Sequence, residues 1–303
     1  MKAQPQPGST APGESCVNLL RRRLQAIEAK MLELLDCSTV STWRNDPYSE
    51  VVFIGPKHHW GEPDDQQRRL QIELKGLYTD WSEQMRLLFS GTPDDLQQEI
   101  SDTDDFVRTW IEKESSWEVE PDMEENKRVF REKTAVFHDA LTTLDDAKRS
   151  KVTLVPDTNA FVWCPDPVRY REIAGGGTYD FVLLPTVLSE LDDLAMKTRD
   201  EAFRDKVKAA IRRYKGWREQ GRLVDGVTVN RTITVRSVAR EPNFEKTLHW
   251  LDRTIRDDRI VASVLELQRA MPSAAIVLVT SDVNLQNKAD ATSIPCADSP
   301  SRP

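Results

Sequence analysis

Residues 151–159 read KVTLVPDTN and begin the part of the chain that decides the fold. An apolar run rich in β-branched residues ends in an acid, a threonine and an asparagine, which is typical of a strand that leads into a helix. Further strands are predicted at DFVLL (180–184), within DGVTVNRTITVRSV (225–238) and at AAIVLVT (274–280), with an edge strand at IPC (294–296) and helices between them. This alternation predicts an α/β fold in which a parallel sheet is sandwiched by helices.

Four acidic residues lie at the ends of these strands or on the helices between them. Asp157 and Asp282 follow apolar strands, Glu190 lies on a helix and Asp257 begins one. Taken singly, each acid could equally cap a helix or face solvent. Together they are expected to meet, because parallel strands deliver the residues at their carboxyl ends to one edge of the sheet. Carboxylates crowded into one pocket repel each other unless a hard cation lies between them, so the pattern predicts Mg²⁺ or Mn²⁺ and phosphodiester hydrolysis.

The residues around these acids form four motifs. They are Asp157-Thr158-Asn159 after the first strand; Pro185, Val187, Glu190 and Leu191 in a helix; Asp257, Ile260 and Ala262 in a later helix; and Thr280, Asp282, Asn284, Leu285, Lys288 and Ala289 near the end. In these motifs residues 151–298 resemble the PIN domain, a family of metal-dependent ribonucleases. The resemblance extends to the larger PIN domains, in which a basic helical segment follows the helix that carries the glutamate.

The resemblance implies a PIN-like fold, an RNA substrate and an Mg²⁺ or Mn²⁺ site formed by Asp157, Glu190, Asp257 and Asp282. The third motif also fits with a shift of one residue, which makes Asp258 the alternative to Asp257. One or two ions would lower the pKa of a water and stabilise charge on the leaving oxygen. Hydrogen bonds to the carboxylates or to a substrate phosphate are predicted for Thr158, Asn159, Thr280 and Ser281, although capping and turn formation explain each of them equally well.

Charge is unevenly distributed along the 303 residues. Residues 1–150 hold 19 basic and 29 acidic side chains, a net charge of −10, whereas the remainder holds 23 and 21. The sharpest basic excess is at residues 197–222, with ten Lys and Arg against four Asp and Glu. A solvated helix face explains such a run as well as a nucleic-acid contact does. Because this segment follows the Glu190 helix, phosphate contacts are predicted for Lys197, Lys206, Lys208, Arg212 and Arg213.

Residues 1–13 are predicted to be a disordered tail, and residues 299–303 a second tail. Residues 14–148 show four amphipathic helical patterns, which predict an all-α helical-bundle domain. The first stripe is Val17, Leu20, Leu24, Ile27, Met31 and Leu34; the second, starting near residue 65, is Leu70, Leu74, Leu77, Trp81, Met85 and Leu88. Trp81 and Trp110 are predicted core residues. Residues 39–63 are predicted to be a long connection with a short strand at 51–54.

Two helix starts are predicted within residues 14–148, from the Thr92 hydroxyl as a cap before Pro93 and from residues 121–122. This half carries no constellation of catalytic residue types, and we recognise no family resemblance in it. Its acidic character should keep it away from nucleic acid. We expect it to serve regulation, homo-oligomerisation or binding of a protein partner.

Several function classes fit the sequence poorly. There is no apolar signal segment and no run long enough to span a membrane, so a cytoplasmic protein with no membrane partner is expected. The four cysteines lack metal-ligand spacing, and Gly175, Gly176 and Gly177 match no phosphate-binding loop. The prediction is a metal-dependent endoribonuclease, as a toxin, a defence enzyme or an RNA-processing enzyme. A structure-specific DNA nuclease of the same chemistry and a non-catalytic PIN-like scaffold remain the alternatives.

Overall fold

The computed structural model of the protein describes residues 14–43, 55–114, 116–145 and 151–300. These residues form two compact units, one of residues 20–145 and one of residues 151–300 together with residues 14–19. In the latter, the backbone N–H of Val17 donates to the carbonyl of Pro272 at 3.4 Å. The predicted tail at 1–13, the predicted strand at 51–54 and the predicted junction at 148–151 fall wholly or largely outside the described residues, so the domain boundaries stay predictions. No helix in the described ranges combines the length and apolar character needed to span a membrane.

The unit of residues 20–145 is built from helices around an aromatic core. Its elements are α1 (Cys16–Asp36) from residue 20 onward, β1 (Val40–Thr42), β2 (His58–Trp60), α2 (Asp65–Phe89), α3 (Asp94–Glu112) and α4 (Met123–Thr143). Helix α3 packs against both α2 and α4. Helix α1 contacts α2 and α4. Trp81 Nε1 of α2 donates to the Leu20 carbonyl at 2.9 Å, and His138 Nε2 of α4 lies 2.9 Å from Glu28 Oε1. The four helices therefore enclose one core, as the helical patterns predicted.

The stripes decide which helix faces are buried. All six residues of the α1 stripe are buried, and Trp81 and Trp110 are completely so. In α2 the prediction was wrong for Leu77, which is 40% exposed, because the buried face turns through Tyr78 between Leu74 and Trp81. This spacing of four and three residues keeps the stripe on one side of a helix with 3.6 residues per turn.

Two local predictions in this unit need correction. The Thr92 hydroxyl does not cap α3; it donates to the Phe89 carbonyl at the end of α2, and α3 has no side-chain cap. The connection after α1 contains the antiparallel pair β1–β2, in which Val40 is paired with Trp60 and Thr42 with His58. These three-residue strands are too short to show a periodic pattern in the sequence.

The second unit is an α/β sandwich. Its elements are β3 (Val152–Pro156), α5 (Thr158–Trp163), β4 (Tyr179–Leu183), α6 (Pro185–Lys197), α7 (Glu201–Gln220), β5 (Val227–Thr228), β6 (Ile233–Ser237), α8 (Arg256–Ala270), β7 (Ala275–Val279), α9 (Val283–Ala291) and β8 (Cys296–Ala297). The sheet order is β5-β6-β4-β3-β7-β8, and every neighbouring pair is parallel except β5–β6. Strands β3, β4 and β7 are almost wholly buried, as expected for a parallel sheet with helices on both faces.

The sequence predicted one strand where the structure has two. Residues 225–238 fold into the antiparallel pair β5–β6, with Val227 opposite Val235. The turn between them includes Arg231, whose φ of 37° lies in the left-handed region. The sheet is therefore mixed at this edge, whereas the predicted edge strand at the other end is confirmed as β8.

The sheet order brings two strand ends together that are far apart in sequence. Strand β3 lies between β4 and β7 and is parallel to both, so the order in which successive strands are added to the sheet reverses at β3. Pro156 is paired with Val279, and the Asp157 N–H donates to the Val279 carbonyl at 3.0 Å. A switch point at the carboxyl ends of parallel strands is where open α/β sheets bind ligands.

Candidate active site

Asp157 lies at the switch point, and each of its two carboxylate oxygens accepts a hydrogen bond. Its carboxylate caps α5, because Oδ1 accepts from the Ala160 N–H at 2.6 Å, and Oδ2 accepts from the Thr280 hydroxyl. The residue is 4% exposed. Burial raises the pKa of Asp157, hydrogen bonds from Thr280 and Ala160 lower it, and the charges of Asp282 and Glu190 raise it again, with a net increase. The cap is thus also a buried carboxylate with two acidic neighbours.

Asp282 reaches the same edge from β7. Its Oδ1 accepts from the N–H groups of Asn284 at 2.8 Å and Leu285 at 3.3 Å and caps α9. Its own N–H donates to the Thr280 hydroxyl at 3.0 Å. Thr280 therefore bonds to Asp157 and to Asp282 at once, which explains a completely buried threonine at this position.

Glu190 projects from α6 into the same cluster. Its Oε2 accepts from the Thr158 hydroxyl at 2.7 Å, and Thr158 directly follows Asp157. Its Oε1 accepts from Arg256 Nη1 at 2.7 Å, and Arg256 Nη2 lies 3.4 Å from Asp193. Glu190 is therefore fixed by a neutral donor on one oxygen and by a guanidinium on the other.

Asp257 and Asp258 differ sharply in their surroundings. Asp257 is partly exposed and accepts from Asn284 Nδ2 at 2.7 Å, with Lys288 Nζ at 3.5 Å. Asp258 is 4% exposed, accepts from the Asp252 N–H at 2.9 Å and lies 2.7 Å from Lys288 Nζ. Burial alone lowers the pKa of Lys288, but its pairing with Asp258 and Asp257 raises it above the ordinary value. Asp258 therefore anchors α8 to α9, whereas Asp257 is open to the site.

Small polar side chains link the four acids into one network. Thr158, which directly follows Asp157 in the chain, donates to Glu190. Thr280 bonds to both Asp157 and the Asp282 backbone, and Asn284 bonds to both Asp282 and Asp257. Two of the four supporting residues that the sequence predicted, Thr158 and Thr280, contact the carboxylates directly. The other two, Asn159 and Ser281, line a cavity beside the network.

The network has the donor set of a divalent-cation site. Within the described residues, no three His, Cys, Asp or Glu side chains are grouped closely enough to hold one ion as they stand. Each carboxylate is turned toward a donor of the protein itself. Asp157 is nevertheless nearly fully buried, and the charges of Asp282 and Glu190 add to the burial that raises its pKa. Carboxylate oxygens fit Mg²⁺ and Mn²⁺, and an ion there would relieve the repulsion from Asp282 and Glu190.

A cavity of about 460 Å³ adjoins this network. Asp282 and Asn159 line it from the acidic side, and Trp163, at the end of α5, supplies an aromatic wall. Residues 299–300 close another side, with the Ser299 N–H donating to the Ser281 hydroxyl at 3.1 Å. The cavity therefore joins the acids to an aromatic surface.

The five predicted phosphate-binding residues have different surroundings. Lys197 is at the end of α6 and pairs with Asp193 at 3.0 Å, and Arg213 pairs with Asp166 at 2.9 Å. The ammonium of Lys206 lies 3.5 Å from the centroid of the Trp163 ring. Lys208 and Arg212 are exposed on α7. Lys206 is thus the member of this set that contacts a wall of the cavity.

Four residues that contact the acids or line the cavity were not predicted to be functional from the sequence. Arg256, Asn284 and Lys288 contact the carboxylates, and Trp163 lines the cavity. Asn284 and Lys288 lie within the last motif, so their spacing from Asp282 was a usable signal. Arg256 and Trp163 carry no such signal, because their importance depends on contacts across 66 and 43 residues of sequence.

Comparison with protein families matches residues 154–300 to the PIN domain. This range contains all four acids and the residues that line the cavity. No family matches the residues before 154. A comparison with curated proteins finds no match for the chain.

Proposed function

Because residues 154–300 form a PIN domain, and thus a nuclease-type fold, we propose that the protein is a metal-dependent endoribonuclease. It hydrolyses RNA phosphodiester bonds at Asp157, Glu190, Asp257 and Asp282. The observation that carries this proposal is the nearly fully buried carboxylate of Asp157, which shares the Thr280 hydroxyl with the Asp282 backbone and lies close enough to Asp282 and Glu190 for their charges to repel it. A purely structural cap would have no use for this repulsion.

Asp157, Glu190 and Asp282 would hold the ion, with Asp257 at its outer side. When bound, Mg²⁺ or Mn²⁺ supplies an activated water and stabilises charge on the leaving oxygen. The protein's own part is positioning. Thr280 and Thr158 fix the carboxylates through hydrogen bonds, and the α5 and α9 caps fix the backbone beneath them.

Arg256 and Lys288 add positive charge to an otherwise acidic edge. The Arg256 guanidinium is half-exposed and pairs with Glu190 and Asp193. A planar guanidinium also suits a phosphate group, which it binds through two parallel hydrogen bonds. We infer that Arg256 exchanges its carboxylate partners for the phosphate of a bound substrate.

RNA is the substrate class that the match to the PIN-domain family favours. Lys206 would provide a phosphate contact beside the cavity, and Lys208 and Arg212 are further exposed cations of α7. A DNA nuclease would share the same carboxylate chemistry and is separated from this proposal by the substrate panel below. A scaffold without activity is disfavoured because all four acids are retained and joined in one network.

For residues 20–145 we propose a regulatory or oligomerising role in a protein that acts in the cytoplasm. The net charge of −10 over residues 1–150 opposes contact with nucleic acid. This unit would therefore bind a second copy of the chain or another protein.

The test is a cleavage assay with single-stranded RNA, structured RNA, single-stranded DNA and structured DNA in Mg²⁺, Mn²⁺ or EDTA. We expect metal-dependent cleavage of RNA, and loss of this cleavage in Asp157→Asn. That substitution removes the charge at nearly constant volume, and its amide oxygen can still accept from the Ala160 N–H. Asp192→Asn, which removes an exposed charge from α6, is the matched control and should retain activity. Full activity of Asp157→Asn would end the proposal, and preferential cleavage of DNA would replace RNA as the substrate.

A further inference from the structure

Trp163 is placed unusually for an aromatic residue of this unit. Helix α5 starts at the Asp157 cap and ends at Trp163, so the helix that begins at the acid network carries this indole to the cavity wall. The aromatic core between α5 and α7 is formed without it, because buried Phe161 packs on buried Trp217 with ring centroids 6.0 Å apart. Trp163 itself is only half-buried.

Positive charge accompanies this indole. Lys206 Nζ lies over the ring at 3.5 Å, and Phe203 packs against the ring with a centroid distance of 5.9 Å. Lys206 is exposed, so its ammonium remains available to a phosphate. An aromatic surface beside a lysine is the combination that binds single-stranded nucleic acid, because the base stacks and the phosphate pairs with the cation.

We propose that the cavity lined by Trp163, Asn159 and Asp282 is a nucleobase subsite, in which one unpaired base of the substrate stacks on the Trp163 indole. Lys206 pairs with the phosphate of that nucleotide. The inference rests on the proposed nuclease function and adds a substrate requirement to it. Since Asp282 belongs both to the cavity and to the acid network, the stacked nucleotide lies next to the bond that is cut.

The size of the cavity agrees with one base rather than a duplex. Its volume of about 460 Å³ lies within the range of about 300–1,000 Å³ that is usual for small-ligand pockets, and it accommodates a single nucleotide. A base inside a duplex is covered on both faces and cannot reach the indole without being unstacked. The subsite therefore makes the enzyme prefer single-stranded RNA or unpaired positions in structured RNA.

The test is a double-mutant cycle between the protein and the RNA. The substrates are a single-stranded 12-nucleotide RNA and versions of it with one abasic residue at each successive position. The proteins are the wild type, Trp163→Ala, Trp163→Phe and the control Trp250→Ala, which removes an exposed tryptophan that does not line the cavity. The readout is kcat/KM for cleavage, with thermal unfolding to verify folding.

We expect one abasic position next to the cut to lower kcat/KM of the wild type by about tenfold. Trp163→Ala should lower kcat/KM on the intact RNA by a similar factor and should be insensitive to that abasic position. Trp163→Phe should retain most of the wild-type behaviour, and Trp250→Ala all of it. A merely structural role of Trp163 would instead lower activity equally on every substrate.

Two results would overturn the subsite while leaving the nuclease intact. One is a wild-type enzyme whose kcat/KM for RNA cleavage is unchanged by an abasic residue at any position. The other is a decrease in kcat/KM at the abasic position that is equal in the wild type and in Trp163→Ala. If the wild type cleaves nothing, the nuclease proposal has failed. The same cycle is then measured as Kd by fluorescence anisotropy in EDTA, where additive effects again refute the subsite and non-additive effects support it.

Discussion

Asp257 and Asp258 are neighbours in sequence, yet the structure gives them opposite roles, and two single substitutions separate these roles. Asp258→Asn removes the charge that lies 2.7 Å from Lys288 Nζ, in a pair whose side chains are 5% and 19% exposed. Asp257→Asn removes a charge that is 29% exposed and 3.5 Å from the same ammonium. We expect the first substitution to act on stability and the second on cleavage.

The expected magnitudes follow from burial. Removing one partner of a buried ion pair costs about 3–5 kcal/mol. Lys288 retains some solvent and also Asp257, so we expect about 2–3 kcal/mol for Asp258→Asn, which lowers the Tm of a domain of this size by about 5–10 °C. Asp257→Asn breaks only a long, partly exposed contact and should cost less than about 1 kcal/mol. Its cleavage rate should fall by about 100-fold, because it removes a charge from the proposed metal site.

Thermal unfolding by circular dichroism and single-turnover cleavage, both measured on each variant, decide the matter. Cleavage by Asp258→Asn is measured well below its Tm, where we expect it within about tenfold of the wild type. If Asp258→Asn abolished cleavage without lowering Tm, while Asp257→Asn cleaved normally, the two roles would have to be exchanged. The reasoning from burial would then be wrong.

Three further predictions concern α7, the helical unit and the junction. Replacement of Lys206, Lys208, Arg212 and Arg213 by Glu should weaken RNA binding and reduce its salt slope by roughly 0.7 per lost contact; an unchanged slope would indicate a solvated face. Burial lowers the pKa of Lys113 to about 7, so the unfolded chain alone carries this proton between pH 7 and 10.5. The free energy of unfolding should therefore rise with pH, by about 1–2 kcal/mol from pH 7 to 9. The rise is limited to this size because the Trp60 ring, 3.7 Å from the Lys113 ammonium, partly favours the charged form. The same rise in Lys113→Met would contradict this prediction. Limited proteolysis should cut first between about 145 and 152 if the two units fold separately, whereas protection there would indicate one integrated unit.

Local sequence patterns predicted most of the architecture. The order of strands and helices in residues 151–300 is set by short apolar runs and by caps such as Asp157, and these signals lie within a few residues. The same locality explains the failures. The β5–β6 turn interrupts what looks like one continuous strand, and Leu77 and Tyr78 are both large enough to fill a helix stripe.

The four acids of the proposed site could be selected from the sequence, but their surroundings could not. A shared edge of the sheet brings Asp157 and Asp282 together, and this follows from the strand order alone. The choice between Asp257 and Asp258 required burial, because both begin the same helix. The contact of Arg256 with Glu190 and that of Lys206 with Trp163 depend on how helices pack, which no local pattern in one sequence records.

The most direct test of the central claim is a Mn²⁺ titration followed by electron paramagnetic resonance, in which bound ions disappear from the signal of free Mn²⁺. We expect that the wild type binds one or two ions, that Asp157→Asn loses at least one of them, and that Asp192→Asn binds as the wild type does. A wild type that leaves the Mn²⁺ signal unchanged, or an Asp157→Asn variant with unaltered stoichiometry and affinity, would contradict a metal site at the carboxyl edge of this sheet.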